Sequence, residues 1–194
     1  MKQLETVAII GAGPLGRKLA WLSSRAGFQT MLEDLMPSNI RKAAADLEAL
    51  QKKYGNSVTS GRPPGTLELA TTLEGAVRQA NLIIDCVPDE LESKLEIFSL
   101  LDRMAPPAAI FGTPTLALSI GDLASCTYRS SQCVAFSLNP RSFGENGFPD
   151  TIEIVQTKVT RPDVIEIVRG FWSELGLSTT VRTDDWQDAS SLPR

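Results

Sequence analysis

The chain of 194 residues contains no histidine, and this absence excludes two kinds of functional site. Zinc sites built on imidazole nitrogens cannot form, and no histidine can act as a general base. The three cysteines, Cys86, Cys126 and Cys133, form no Cys-x-x-Cys pair. Small buried thiols, which are common in protein cores, are therefore favoured over redox or metal-binding roles.

The sequence also lacks an excess of positive charge and any long apolar segment. Its net charge is -4 and its pI is near 5.0, which gives no general attraction to nucleic acids or anionic membranes. The first apolar run covers only residues 7–10, far fewer than a signal-peptide core or a membrane span needs. We therefore expect a cytoplasmic protein that binds neither nucleic acid nor membrane.

Short apolar runs alternate with segments of helical periodicity along the chain, as in parallel sheets with crossover helices. The pattern predicts strands at residues 7–10, 29–32, 67–70, 81–87, 109–111, 133–138, 152–156 and 178–182, and helices at 14–25, 38–54, 73–79, 90–104, 119–124 and 162–175. Ser38 is predicted to cap the second helix. The alternation indicates an α/β, Rossmann-type doubly wound, mostly parallel sheet with helices on both faces. We expect one domain over residues 1–184 and a polar tail over 185–194.

The first predicted strand is followed by a glycine-rich turn that opens a helix. Residues 11–16 read Gly-Ala-Gly-Pro-Leu-Gly and match G-x-G-x-x-G. In this context Gly11 permits a tight turn, Gly13 lets a pyrophosphate approach the backbone, and Gly16 lets the helix pack close to the strand. The candidate cofactor contacts at this turn are Gly11, Ala12, Gly13, Pro14, Leu15 and Gly16. The alternative is a tight strand–helix turn that binds nothing.

The second predicted strand is followed by an acidic residue suited to a ribose. Asp34 lies 23 residues after Gly11, where a carboxylate can accept hydrogen bonds from a ribose diol. Glu33 and Asp34 together would repel a 2'-phosphate, and no arginine follows immediately to receive one. NAD is therefore favoured over NADP as the cofactor.

Several segments beyond the glycine turn resemble one enzyme family. They are residues 7–34, the run Asp85-Cys-Val-Pro-Asp-Glu-Leu-Glu-Ser-Lys94, the run Leu118-Ser-Ile, and the pair Asn139-Pro140. With these segments the chain, to about Asp184, resembles the NAD-binding domain of 3-hydroxyacyl-CoA dehydrogenases. The resemblance implies that NAD also contacts Val87, Asp89 and Lys94. It further implies enzymes that oxidise a 3-hydroxyacyl-CoA during fatty acid breakdown.

The residues that carry the chemistry of this family are mostly replaced. Its histidine general base lies in a His-x-x-Asn-Pro motif and corresponds to Phe136 when the motif is anchored on Asn139-Pro140. The glutamate that orients this histidine corresponds to Asp89, and a substrate-contacting serine corresponds to Leu116. The resemblance therefore implies that Asp89 and Asn139 are remnants of a catalytic site, and no residue is assigned as catalytic.

The family's second domain is a helical bundle that forms the dimer and closes over the acyl-CoA. The chain stops within a dozen residues of where this bundle would begin. One hypothesis is that a homodimer or a separate helical subunit completes the site. The tail that starts at Asp185 is interpreted either as a docking segment or as a disordered end.

Three functional hypotheses follow from these residues. The first is an NAD-binding protein of the 3-hydroxyacyl-CoA dehydrogenase type that has lost the ordinary dehydrogenase reaction. The second is an active NAD-dependent oxidoreductase on an acyl-CoA or a small hydroxy or keto substrate, with its site completed by a partner subunit. The third is a structural or regulatory module without catalysis.

Overall fold

A computed structural model describes residues 4–54, 62–138 and 151–185. Its strands are β1 Thr6–Ile10, β2 Gln29–Glu33, β3 Leu67–Leu69, β4 Leu82–Asp85, β5 Ile110–Pro114, β6 Cys133–Ser137, β7 Thr151–Gln156 and β8 Ser178–Thr183. Its helices are α1 Pro14–Arg25, α2 Pro37–Tyr54, α3 Leu73–Val77, α4 Leu91–Met104, α5 Ile120–Ser125 and α6 Pro162–Glu174, with a short 3₁₀ turn at Ser130–Gln132. Each predicted strand and helix is present, and its ends differ from the prediction by at most three residues.

All eight strands form one sheet, in the order β3-β2-β1-β4-β5-β6-β7-β8. Neighbouring strands pair in parallel except β6 and β7, which pair antiparallel. The predicted mostly parallel, doubly wound sheet is therefore confirmed. Because β1 to β6 run in one direction, their carboxyl ends meet at one edge, where ligands bind in sheets of this kind.

Helices cover both faces of the sheet, and each face has its own apolar core. The core against α1 and α6 includes Leu19 and Trp172, and the core against α3, α4 and α5 includes Phe98. Strand β6 contributes Phe136 to the first core and Ala135 to the second. This division follows from the strand geometry, in which successive side chains point to opposite faces.

The start of α2 differs from the prediction that Ser38 caps this helix. The carbonyl of Met36 accepts the N–H of Asn39 at 2.9 Å, so the helix begins at Pro37 and Ser38 lies inside its first turn. Proline suits the first helical position because its missing N–H would have no partner there. The predicted cap is thus the second residue of the helix, and the prediction was wrong because it weighted the serine and overlooked the proline.

The ring of Phe136 occupies the space beside Gly112 on β5. Phe136 is fully buried and packs edge-on against Trp172, with ring centroids 5.0 Å apart and planes at 83°. A Cβ added to Gly112 would overlap the Cε2 and Cζ atoms of this ring. A glycine is therefore needed at position 112 as long as a phenyl ring fills this part of the core.

Replacing Gly112 tests this packing. Gly112→Ala is expected to lower the free energy of unfolding by about 1–3 kcal/mol, because the added methyl group forces Phe136 out of its position. Gly170→Ala is the matched control, since no atom lies within 4 Å of its added Cβ in the exposed middle of α6. In the control, the free energy of unfolding should rise by about 0.5–1 kcal/mol, because alanine has a higher helix propensity than glycine. Urea unfolding measures both, and equal stability of the two variants would contradict the packing.

Candidate dinucleotide-binding site

The glycine turn between β1 and α1 leaves no room for side chains at two of its positions. Gly11 has a positive φ of 103°, and its N–H donates to the carbonyl of Glu33 at 2.7 Å. A Cβ at Gly11 would come within 2.8 Å of the carbonyl carbon and oxygen of Cys86. A Cβ at Gly16 would overlap the carbonyl oxygen of Gly11. Both positions therefore require glycine for the fold itself.

Gly13 differs from these two glycines because the space beside it is open. No atom lies within 4 Å of a Cβ added there, and its φ of -68° suits any residue. It precedes Pro14, and no side chain in the described part of the chain caps this end of α1. The first amides of α1, including that of Leu15, lack helical acceptors. Together with the helix dipole they suit an anionic group such as a pyrophosphate.

Asp34 follows β2 directly and is hydrogen-bonded to the glycine turn. Its Oδ2 accepts the N–H of Ala12 at 2.7 Å, and its Oδ1 accepts the N–H of Met36 at 2.8 Å. The side-chain amide of Asn39, in the first turn of α2, donates to Oδ1 at 3.1 Å and to Oδ2 at 3.2 Å. These donors fix the partly exposed carboxylate beside the turn. Asn39 was not predicted from the sequence, although an amide side chain soon after the acidic residue was an available signal.

Glu33, the last residue of β2, is the second carboxylate at this edge. It is 7% exposed, and burial, followed by repulsion from Asp34, raises the pKa of its carboxyl above the ordinary 4.5. Its backbone carbonyl holds the N–H of Gly11. Two carboxyl groups, those of Glu33 and Asp34, are therefore adjacent in the chain near the glycine turn.

The segment after β4 lies against the other side of the glycine turn. The N–H of Cys86 donates to the carbonyl of Ile10 at 2.6 Å, and the N–H of Val87 donates to Oδ1 of Asp85 at 2.9 Å. The nitrogen of Val87 is 3.1 Å from the position of a Cβ on Gly11. The structure therefore brings Val87, a predicted cofactor contact, directly beside the turn.

The position of Lys94 differs from the expectation that this residue contacts the cofactor directly. Its side chain is fully buried, and its Nζ donates to Oδ2 of Asp85 at 3.0 Å and to Oγ1 of Thr113 at 2.9 Å. Burial raises the pKa of the Asp85 carboxyl, while the charge of Lys94 and the bonds from Val87 and Thr113 act against this rise. A group with no accessible surface cannot touch a ligand, so Lys94 is placed beneath the site and not on it.

Asp89 and Leu116 meet where the loops after β4 and β5 approach each other. Oδ2 of Asp89 accepts the N–H of Leu116 at 3.2 Å, and both residues are exposed. The side chain of Leu116 is 57% exposed, so the position assigned to a substrate-contacting serine carries an apolar group facing solvent. The two residues form an open rim at the carboxyl edge.

Phe136 does not face this rim. It lies in the core between the sheet and α6, against Trp172 and Gly112. Its neighbours Ala135 and Ser137 point to the opposite face, because side chains alternate along β6. Asn139, the other remnant of the family motif, lies outside the described residues, and its role stays a prediction.

Asp184 attaches the end of the predicted domain to α5. Its carboxylate accepts the Oγ–H of Ser119 at 2.7 Å and the N–H of Gly121 at 3.3 Å, and its own N–H donates to the carbonyl of Gln156 at 2.6 Å. Residues 186–194 of the predicted tail lie outside the described residues. The boundary at residue 184 stays a prediction.

The cysteines have the character of core thiols. Cys133 is buried and Cys86 and Cys126 are half-buried, all of them free. Burial raises the pKa of Cys133 to about 12 and that of Cys86 further still, which disfavours the reactive thiolate. Within residues 4–54, 62–138 and 151–185, no cluster of potential metal ligands occurs, and no helix is long and apolar enough to cross a membrane.

A strand, a glycine turn, a helix N-terminus and a strand-end carboxylate meet at the carboxyl edge of a doubly wound sheet. This combination defines a dinucleotide-binding domain of the Rossmann type. The family model described as 3-hydroxyacyl-CoA dehydrogenase, NAD binding domain, matches residues 6–185. The chain belongs to this family, and NAD is the cofactor that the family assigns to it.

Individual relatives agree with the family match. The chain is 27% identical over 147 residues to a probable 3-hydroxybutyryl-CoA dehydrogenase of Bacillus subtilis, covering 71% of this chain and 50% of the relative. It is 30% identical over 186 residues to the lambda-crystallin homolog of Mus musculus, covering 89% and 54%. A solved diketoreductase matches with a TM-score of 0.83 at 26% identity, covering 96% of this chain and 66% of the other. The chain thus spans about half the length of these curated relatives.

The raised pKa of Glu33 predicts a pH-dependent stability change for Glu33→Gln. A carboxyl whose pKa is raised by folding costs no stability below the unfolded pKa, and the cost grows as the pH rises through the folded pKa. The variant should therefore melt at a higher temperature than the parent at neutral pH. The gain should shrink as the pH falls toward 4.5, the ordinary pKa of the group.

The exposed glutamate Glu166 on α6 provides the control for this measurement. Glu166→Gln should leave the melting temperature unchanged both at neutral pH and near pH 4.5, because this side chain is exposed. Calorimetric melting of the three proteins checks the expectation. A Glu33→Gln protein that is less stable than the parent at neutral pH would contradict it.

Proposed function

We propose that this chain binds NAD at the carboxyl edge of its sheet and has no ordinary 3-hydroxyacyl-CoA dehydrogenase turnover on its own. One observation carries the proposal. Asp34 is hydrogen-bonded to the glycine turn through the N–H of Ala12, while Phe136, which corresponds to the general base of the family, is buried in the core of a chain without histidine. Cofactor binding and catalysis are therefore separated in this protein.

In the proposed complex the pyrophosphate binds the first amides of α1, beside Gly13. The space that a Cβ would fill at Gly13 is open, with no atom within 4 Å. The adenosine ribose binds the carboxylate of Asp34, which is already oriented by Ala12 and Asn39. Val87 and Asp89 line the path from there along the edge, as the family resemblance implies.

The two carboxylates after β2 support a preference for NAD over NADP. Asp34 lies beside the position proposed for the ribose, and Glu33 precedes it in the chain. A phosphate on the ribose would lie close to these two carboxyl groups. The next two residues, Leu35 and Met36, are apolar and exposed, so they supply no cation to bind the phosphate. We propose that NADP binds more weakly for this reason.

The loss of turnover has a physical basis in the residues that remain. A positioned general base contributes typically about 10²- to 10⁴-fold to the rate, and this chain has no histidine to supply it. Asp89 is exposed, and its carboxylate accepts the N–H of Leu116. When bound, NAD supplies the hydride-accepting nicotinamide, but the residues described here offer no group to remove the substrate proton.

A second function is favoured by the open rim at Asp89 and Leu116. An active NAD-dependent oxidoreductase could complete its site there with a second copy or a helical subunit, on an acyl-CoA or a small hydroxy or keto substrate. The solved diketoreductase acts on dicarbonyl compounds, so carbonyl substrates other than acyl-CoA occur among proteins with this domain.

A cytoplasmic location, proposed with both functions, agrees with the three free cysteines. A purely structural domain with an empty cleft is the third hypothesis.

Gly13→Ala separates cofactor binding from stability. The added methyl group meets no atom in the protein, so the melting temperature should stay close to that of the parent. The same methyl group occupies the space proposed for the pyrophosphate, and the affinity for NAD should fall by about tenfold or more. Calorimetric titration of NAD and NADP measures this, with Gly170→Ala as a glycine variant remote from the edge. No binding of NAD to the parent at millimolar concentration would favour the structural domain instead.

Turnover is tested with acetoacetyl-CoA and NADH. The purified chain is expected to show no oxidation of NADH above background, and Phe136→His combined with Leu116→Ser should restore little. The imidazole at position 136 would replace a ring that packs against Trp172 and so would lie in the core, away from the rim. Rates typical of the family in the parent would contradict the first function. Substantial turnover in the double variant would show that the missing base alone was limiting.

A further inference from the structure

Three buried polar groups form a closed triangle beneath the proposed cofactor edge. Nζ of Lys94 on α4 lies 3.0 Å from Oδ2 of Asp85 on β4 and 2.9 Å from Oγ1 of Thr113 on β5. The same hydroxyl of Thr113 donates to Oδ2 of Asp85 at 2.9 Å. All three residues have no accessible surface. The triangle therefore joins two central strands to the first turn of the helix that follows β4.

The stability of the fold does not by itself explain this triangle. Charged groups lose hydration when they are buried, and a buried ion pair is often no more stabilising than apolar residues of the same volume. The first turn of α4 could close over this face of the sheet with a methionine in place of Lys94. The position of the ion pair, at the carboxyl edge of the sheet, points to a role in the site.

The second oxygen of Asp85 connects the triangle to the candidate site. Oδ1 accepts the N–H of Val87 at 2.9 Å, while Oδ2 is held by Lys94 and Thr113. A carboxylate held at one oxygen has a fixed plane, so its other oxygen fixes the direction of the Val87 amide. The backbone at Val87 in turn lies beside Gly11.

We propose that Lys94 is a positioning residue for the NAD site. Acting through Asp85, it holds the segment 86–89 against the glycine turn, so that Val87 and Asp89 are in place before the cofactor arrives. The proposal rests on the NAD binding proposed above. It replaces the expectation that Lys94 touches the cofactor, because the buried ammonium group has no surface to offer.

The test compares three variants by calorimetric titration of NAD. Lys94→Met removes the charge that holds Asp85 and should weaken binding by about tenfold, the value of one well-oriented hydrogen bond. Lys94→Met combined with Asp85→Asn removes both charges but keeps an oxygen that can accept the Val87 N–H, and should return the affinity to within about threefold of the parent. Thr113→Val is the milder variant if Lys94→Met does not fold, with a loss of about threefold.

Arg129→Met is the matched control for the loss of a buried ion pair. Arg129 Nε lies 2.7 Å from Asp102 Oδ1, with side chains 10% and 7% exposed, at the opposite end of α4. The control should lower the melting temperature without changing the affinity for NAD. Unchanged affinity in a folded Lys94→Met protein, or an equal loss in Arg129→Met, would overturn the proposal.

Amide hydrogen exchange of the free protein keeps this test separate from the proposed function. The amide of Val87 should exchange faster in Lys94→Met than in the parent, while that of Ile9 in β1 should be unaffected. If the parent fails to bind NAD but Val87 behaves in this way, the proposed function is wrong and the positioning of the segment stands. Equal exchange of Val87 in both proteins would overturn the positioning itself, whatever the affinity.

Discussion

The close approach of the glycine turn to the strands on either side is the constraint on which the candidate site depends. On one side the N–H of Gly11 binds the carbonyl of Glu33, and on the other side Gly11 lies against the carbonyl of Cys86. A side chain at Gly11 would separate β1 from the segment after β4. The turn, Asp34 and Val87 are therefore neighbours only because this position has no Cβ.

The two faces of the sheet divide the polar and apolar residues near the edge. Asp85 and Thr113 occupy neighbouring positions on the face covered by α4, where Lys94 reaches them. Gly112 and Phe136 lie on the opposite face, in the core beneath α6. Because side chains alternate along a strand, a residue at position 136 belongs to the α6 face whatever its type. Position 136 and the pair Asp85 and Thr113 are thus on opposite faces of the sheet.

The chain belongs to the 3-hydroxyacyl-CoA dehydrogenase family through the NAD-binding domain of that family. The family match covers residues 6–185, and the curated relatives are about twice as long as the part of them that the chain matches. Within the described residues the rim at Asp89 and Leu116 is open.

The sequence by itself determined the alternation of strands and helices, the glycine turn and the acidic residue after β2. These features depend on local patterns, namely apolar period, glycine spacing and the residues at strand ends, so they could be predicted. It did not reveal the donors that hold Asp34, the exact start of α2 at Pro37, or the burial of Lys94. Only the tertiary structure decided these, because they depend on which side chains distant in sequence meet across the sheet. The same packing, and not the family motif, decided that Phe136 belongs to the core.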